Sequence, residues 1–261
     1  MFTERPLDGD PAAVRDAYAP DAVVLNSATD FETLDPAAAE DLLLVTRSVD
    51  PLALDPSWVP DSAPDQLRRY VGGEFTVGLP GDGGVAWTTQ TEPACVIVKP
   101  RLETSPDAFV DFLVAEALVE ASLNEPEQFV EFFGDSYRDL AAVTDPAIGA
   151  TGTYQLAVAL YDAYLGLQTR EAFEGWAETF PAVYAAWADA GERLEPRLSE
   201  LSGELARGQT DFAAAAELAC SAVKHGLELP APFAALDTAA YADHDADYAV
   251  RWAEKTFEQL E

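Results

Sequence analysis

Lysine is almost missing from this chain. Lys99, Lys224 and Lys255 are the only three, so twelve of the fifteen basic residues are arginine. Isoleucine occurs only at positions 97 and 148, histidine only at 225 and 244, and the sole methionine is Met1. Two cysteines, Cys95 and Cys220, make no disulfide framework and cannot form a zinc site alone. Each stands among apolar or small residues, so both are expected to be buried free thiols. No apolar run approaches the ~20 residues of a membrane span. The start Met1-Phe2-Thr3-Glu4-Arg5-Pro6 has no basic run leading into an apolar core, so no signal peptide is visible. Basic patches are missing too, Arg68-Arg69 being the only adjacent pair, which argues against nucleic acid and anionic membranes as partners.

What fills the space is acid. Asp and Glu number 47 against 15 Lys and Arg, a net charge of −32 over 261 residues. Such a chain repels itself in dilute buffer. At about 1 M salt the Debye length falls to about 3 Å and most of that repulsion is screened. The composition therefore points to a halophilic, salt-accumulating cytoplasm. GC-rich coding alone would account for scarce lysine and isoleucine, but not for about three acids per base. An acidic disordered chain is excluded by 49% apolar and 10% aromatic residues.

The periodicity predicts an α+β protein: a mixed helix and antiparallel-sheet region over 1–102, then an all-helical bundle over 103–261. In the first region, Asp10-Pro11 and Asp35-Pro36 open helices to about 19 and 49. Four prolines between 50 and 64 mark an irregular connection, followed by a short helix over 65–71. Phe75, Val77 and Leu79 alternate before the turn Pro80-Gly81-Asp82-Gly83-Gly84, and Val85, Trp87 and Thr89 alternate after it, which predicts a β-hairpin. Residues 94–99 are apolar on both faces, as for a covered strand, and 22–25 offer a fourth strand. In the second region helices are expected at about 105–123, 125–143, 153–168, 170–190, 192–206, 210–225 and 244–260. Thr169, Thr210 and Asp243 are candidate N-caps, Gly226 is a candidate C-cap, and Pro181 should kink or split its helix.

The stretch from Gly72 to Gly84, followed by Val96-Ile97-Val98-Lys99-Pro100-Arg101, resembles a haloarchaeal protein family of unknown function. The resemblance implies a haloarchaeal source and no catalytic residues.

No motif assembles a catalytic constellation. Glu116 and Glu120 lie at i and i+4 beside Phe109 and Leu113 on an otherwise apolar helix. Buried, they would need a metal, a basic partner or protonation; the plainer reading is the wet side of the helix. Neither histidine has Glu three residues before it, which excludes a ferritin-like di-iron site. Asp243-His244-Asp245-Ala246-Asp247 reads as acids at a helix start rather than as metal ligands, and it lacks the glycine and distal Glu of an EF-hand. Cys220 and His225 stand about 140° apart on a helix and cannot readily meet. The glycine turn joins strand to strand, unlike a phosphate loop, and no Gly-x-Ser-x-Gly elbow is present. Trp176, Phe180 and Tyr184, with Phe173 and Trp187, recur at helical spacing and read either as core or as an aromatic pocket wall.

The leading expectation is thus a non-catalytic cytoplasmic protein acting through a protein partner or a homo-oligomer, with no cofactor or metal. The alternative is a helical-bundle enzyme or ligand-binding protein using Glu116 and Glu120 beside the Trp176, Phe180 and Tyr184 pocket. The charge reading has its own test: the melting temperature followed by circular dichroism should rise steadily as KCl goes from dilute to molar. Full structure with an unchanged melting temperature in dilute buffer would overturn the halophile reading.

Overall fold

The computed structural model describes residues 2–34, 36–78 and 83–259. It is 59% helical and 9% strand, with small sheets in the N-terminal part and helices through the C-terminal half, an α+β architecture. The chain divides into two compact units. One comprises residues 1–53, 72–127 and 174–187; the other comprises 54–71, 128–173 and 188–261. Residues 1–102 and 103–261 therefore each contribute to both.

The first unit is built on a four-stranded sheet in the order β1, β2, β6, β4, from Phe2–Glu4, Val23–Ser27, Cys95–Val98 and Val85–Thr88. β6 is the centre of this sheet, and all four of its residues are buried. That is why its sequence is apolar on both faces. β4 pairs antiparallel with β6, with Trp87 opposite Val96, whereas β2 pairs with β6 in parallel, with Leu25 beside Ile97. One ladder of the expected antiparallel sheet is thus parallel, which the long connection between β2 and β6 permits. A second, two-stranded sheet pairs β3 (Ser48–Val49) with β5 (Thr91–Glu92).

Among the described residues the two arms of the expected hairpin do not pair. Residues 75–78 are irregular, although Phe75 and Val77 are buried, and Val85–Thr88 pairs with β6 instead. Leu79, Pro80, Gly81 and Asp82 of its turn lie outside the described residues. Phe75 and Val77 join Leu25, Leu34, Leu42, Ala86, Cys95 and Ile97 in one apolar cluster. They keep their inward positions without a ladder, so the alternation records burial rather than pairing. Helices α1 (Gly9–Tyr18) and α3 (Asp107–Glu120) pack against each other, and α3 lies on β4 and β6. The helix expected over 36–49 is only α2 (Ala38–Leu42), and the one at 65–71 shrinks to a single 3-10 turn.

The second unit is helical. α4 (Phe129–Phe133) ends at Gly134, and α5 runs from Ser136 to Glu174 with one break at Gly149. Two expected helices are thereby one interrupted rod. Across the break the hydroxyls of Thr144 and Thr153 meet at 2.7 Å in the interior. Thr169 is no cap; it is buried inside α5, and its hydroxyl donates to the Leu165 carbonyl at 2.9 Å. α6 (Trp176–Thr179) and α7 (Pro181–Ala206) follow, with Pro181 opening α7 at its first position, where its missing N–H costs nothing. α8 (Phe212–Ser221) is capped by Asp211 rather than Thr210, and α9 (Ala239–Glu258) by Thr238 rather than Asp243. Gly226 ends the turn after α8 in the left-handed conformation expected of a C-cap.

The small face of Phe212, Ala216, Ala219 and Val223 is buried, and its neighbour is close: a Cβ at Gly166 would stand 2.9 Å from the Lys224 backbone nitrogen. An aromatic cluster fills the interior, including Phe129 against Tyr154 at 5.5 Å and Phe132 against Tyr164 at 4.7 Å. Tyr241, wholly buried, donates to the Leu160 carbonyl at 2.6 Å.

Two breaks inside helices have backbone conformations that L side chains resist. Gly149 has φ 71° and ψ 166°, and Asp245 inside α9 has φ 38° and ψ −129°. Opposite outcomes are expected by urea denaturation at fixed KCl. Gly149→Ala should lose about 1–3 kcal/mol, while Asp245→Gly should gain up to about 1 kcal/mol by relieving strain. Loss of stability in both would show that the Asp245 side chain contributes more than its backbone costs.

Candidate functional site

All five residues singled out in the sequence lie in the first unit. Glu116 is buried, 7% exposed, and Glu120 one turn later is half-buried. The stripe is therefore not the wet side of the helix at Glu116. The helix packs on the sheet with nearly every side covered, and Glu116 falls between apolar neighbours Ala115 and Ala117, which are also buried. Glu120 is explained by its partner. The indole N–H of Trp87, on β4, donates to its Oε2 at 2.9 Å. That pair ties α3 to the sheet edge.

The aromatic stripe separates into two ring pairs. Trp176 meets Phe180 edge to face at 6.2 Å, and Tyr184 tilts against Trp187 at 5.5 Å. Trp176 is buried and its indole N–H reaches the Tyr18 hydroxyl of α1 at 3.4 Å; Phe180 and Tyr184 are half-buried. The start of α7 is held by Asp10, whose Oδ2 accepts from the Ala182 N–H at 2.6 Å. The sequence places Asp10 as the cap of α1; it lies inside that helix's first turn. It instead satisfies free N–H groups at the head of a distant helix, where a carboxylate also meets the positive end of the dipole.

Sequence reasoning missed a polar hub in the unit. Glu127 follows α3 in an irregular segment. Its Oε2 accepts from the Thr88 hydroxyl at 3.0 Å, the Thr89 N–H at 2.8 Å and the Thr89 hydroxyl at 3.2 Å. Its Oε1 accepts from the Gln90 amide at 2.7 Å. Gln90, 3% exposed, also donates to the Thr76 carbonyl at 2.7 Å and accepts from the Leu52 N–H at 3.1 Å. Burial pushes the Glu127 carboxyl above its ordinary range, and the donors from Gln90, Thr89 and Thr88 pull partly the other way. The signal in the sequence was Thr88-Thr89-Gln90, a run of donors facing no identified acceptor.

At the end of β6, Lys99 is buried under the Phe31 ring, its ammonium 4.8 Å from the ring centre. Arg101 fastens the segment that carries Phe31, binding Asp30 at 2.8 Å and Glu32 at 2.7 Å. Those hydrogen bonds hold the Asp30 carboxyl below its usual value. Cys95 and Cys220 are free and buried, as their surroundings implied, and burial raises both thiols. Buried, protonated thiols are poor nucleophiles. Among the described residues, no group of three or more His, Cys, Asp or Glu side chains is placed to hold a metal ion. No described helix is long and apolar enough to cross a membrane. What the described residues of this region show is hydrogen-bonded, positioned carboxylates at Glu120 and Glu127.

A model of a family of unknown function, DUF7089, matches residues 1–260. No curated protein and no solved structure matches the chain.

The Glu127 clamp gives a signed expectation. Glu127→Ala removes the acceptor of the Thr89 N–H and one acceptor of the Gln90 amide, which keeps its bond to the Thr76 carbonyl, and should cost about 1–3 kcal/mol in urea denaturation. Because the folded state holds the Glu127 proton more tightly than the unfolded chain, its contribution grows as pH falls toward the ordinary carboxylate range and shrinks as pH rises. The stability of the wild type relative to Glu127→Gln should therefore increase between about pH 7 and about pH 5. A trend of opposite sign would show that the hydrogen bonds, and not burial, dominate this carboxylate.

Proposed function

The chain belongs to this family of unknown function, and we propose that it is a non-catalytic protein of a salt-accumulating, haloarchaeal cytoplasm that works through contact with a protein partner or a second copy of itself. The observation that carries the reading is the corner after α2. Leu43 is 49% exposed, Leu44 81% and Val45 37%, three consecutive large apolar residues in solvent. Single exposed apolar residues are ordinary, but a contiguous group rimmed by charge marks a contact surface. Glu40, Asp41 and Arg47 supply that rim.

The internal chemistry supports the same reading. Glu120 and Glu127 are held by donors from Trp87 and from the Thr88–Gln90 run, and Glu116 is likewise engaged. Carboxylates held this way fix geometry, because their oxygens are already committed to donors within the fold. The source rests on composition, 47 acids against 15 bases with three lysines.

One observation favours the competing reading of a ligand pocket with Glu116 and Glu120 beside Trp176, Phe180 and Tyr184: Glu116 is buried on an apolar helix. The two readings part on mutation. Under the contact reading, Leu43→Ser with Leu44→Ser abolishes self-association in sedimentation velocity, or retention of a partner from extract, both in molar KCl. Folding stays intact because these side chains are already in water. Association unchanged in that variant, or turnover of a metabolite that is lost with Glu116→Gln, would overturn it.

A further inference from the structure

The second unit carries an open surface groove of about 610 Å³ bordered by the ends of two helices. Ala142, Val143, Pro146 and Ala147 line one side; Glu254, Phe257 and Glu258 line the other. The first group belongs to the last turns of the opening segment of α5, which breaks at Gly149. The second group forms the last turn of α9, which ends at Glu258. Two helix C-termini therefore border one groove, and each brings the negative end of its dipole.

Pro146 adds to this. It has no N–H, so the α-helical donor for the Ala142 carbonyl is missing from the same wall. The carboxylates of Glu254 and Glu258, one turn apart on α9, lie on the same rim. Between these negative features the surface is apolar: alanine methyls, Val143, the proline ring and the Phe257 ring. The volume is in the range of small-molecule sites. An anion is repelled by every polar element here, and a bare metal ion would leave the apolar walls unused.

We propose that this groove binds a small organic cation with an apolar body, an alkyl- or aryl-ammonium. The body fills the space between Val143, Pro146 and Phe257. The ammonium stands toward Glu254, Glu258 and the two helix C-termini.

The test uses the full chain at the lowest KCl concentration that keeps it folded by circular dichroism, so that charge is least screened, and three matched probes: phenethylammonium, phenethyl alcohol and phenylacetate, titrated by calorimetry or NMR. Phenethylammonium should bind at least about fivefold more tightly than the alcohol, with phenylacetate weakest. Glu254→Gln with Glu258→Gln should bring the ammonium to within about twofold of the alcohol. Glu192→Gln with Glu200→Gln removes the same charge from exposed positions of α7 and should leave binding unchanged. Ala147→Trp fills the groove from the exposed side and should abolish binding of both ammonium and alcohol; Ala142→Phe does so from a second position if the first variant melts early. Failure of all three probes to bind, equal affinities, an equal loss in the Glu192 and Glu200 control, or binding that survives both filling variants would each overturn the proposal.

Discussion

Self-repulsion is the constraint on which everything else in this molecule depends. A net charge of −32 is distributed over a chain with only fifteen cations, so every compact arrangement crowds like charges. Folding opposes this with apolar burial, and both units are dense with it. The sheet of the first unit buries β6 on both faces, and the second unit packs rings of Phe129, Tyr137, Tyr154, Tyr161 and Tyr164 together. The few cations fasten places that burial alone does not hold. Arg101 locks Asp30 and Glu32 beside the Phe31 ring, and Arg170 joins Asp237 at 2.6 Å in a partly buried pair. Arginine suits both tasks, because its planar fork binds two acceptors and desolvates more readily than an ammonium. Lysine rarity is thus consistent with how the remaining positive charge is used.

Where burial and ion pairs are both thin, a single polar hub takes over. The connections of the first unit around 50–53, 72–78 and 89–90 form little regular structure, so their backbone groups need partners from elsewhere. Gln90 and Glu127 provide them, reaching Leu52, Thr76 and the Thr88–Thr89 turn from two side chains. The arrangement has little slack. Gln90 uses its amide nitrogen and its carbonyl at once, so rotating the amide to suit a changed partner would break the bond to Leu52. A buried carboxylate carries a desolvation cost, and four donors offset it. Such a group specifies one arrangement of irregular segments more firmly than an apolar side chain of the same size would.

Legibility in the sequence followed how local each determinant was. α3 was readable because a proline start and a continuous apolar run act within one segment. Burial of β6 and of the two cysteines was readable from neighbours alone. The hairpin failed because alternation at Phe75 and Val77 reports which side chains point inward, and it is silent on whether the backbone finds a ladder; β6 offered Val85–Thr88 a better one. Thr169 failed as a cap because a threonine hydroxyl inside a helix can return to the carbonyl four residues earlier. Asp10 shows the same lesson from the other side: a carboxylate at the right place for its own helix satisfied another, 172 residues on. Glu127 had no local signature at all. Its donors lie 37 to 39 residues away and become neighbours only after the sheet forms.

Charge also shapes how such a surface makes contact. Bringing two acidic faces together costs Coulomb energy and strips water from carboxylates that find no cation opposite. An apolar corner such as Leu43, Leu44 and Val45 carries no such desolvation cost and gains from being covered. Added salt then acts on association in an unusual direction. For complementary charged partners salt weakens binding. Under the contact reading proposed above, it would instead screen the repulsion between the surrounding acids and leave the apolar contact intact. In that reading the exposed corner and the acidity belong together: the acids hold copies of the chain apart, and the corner is where approach becomes favourable once the solvent is salty enough.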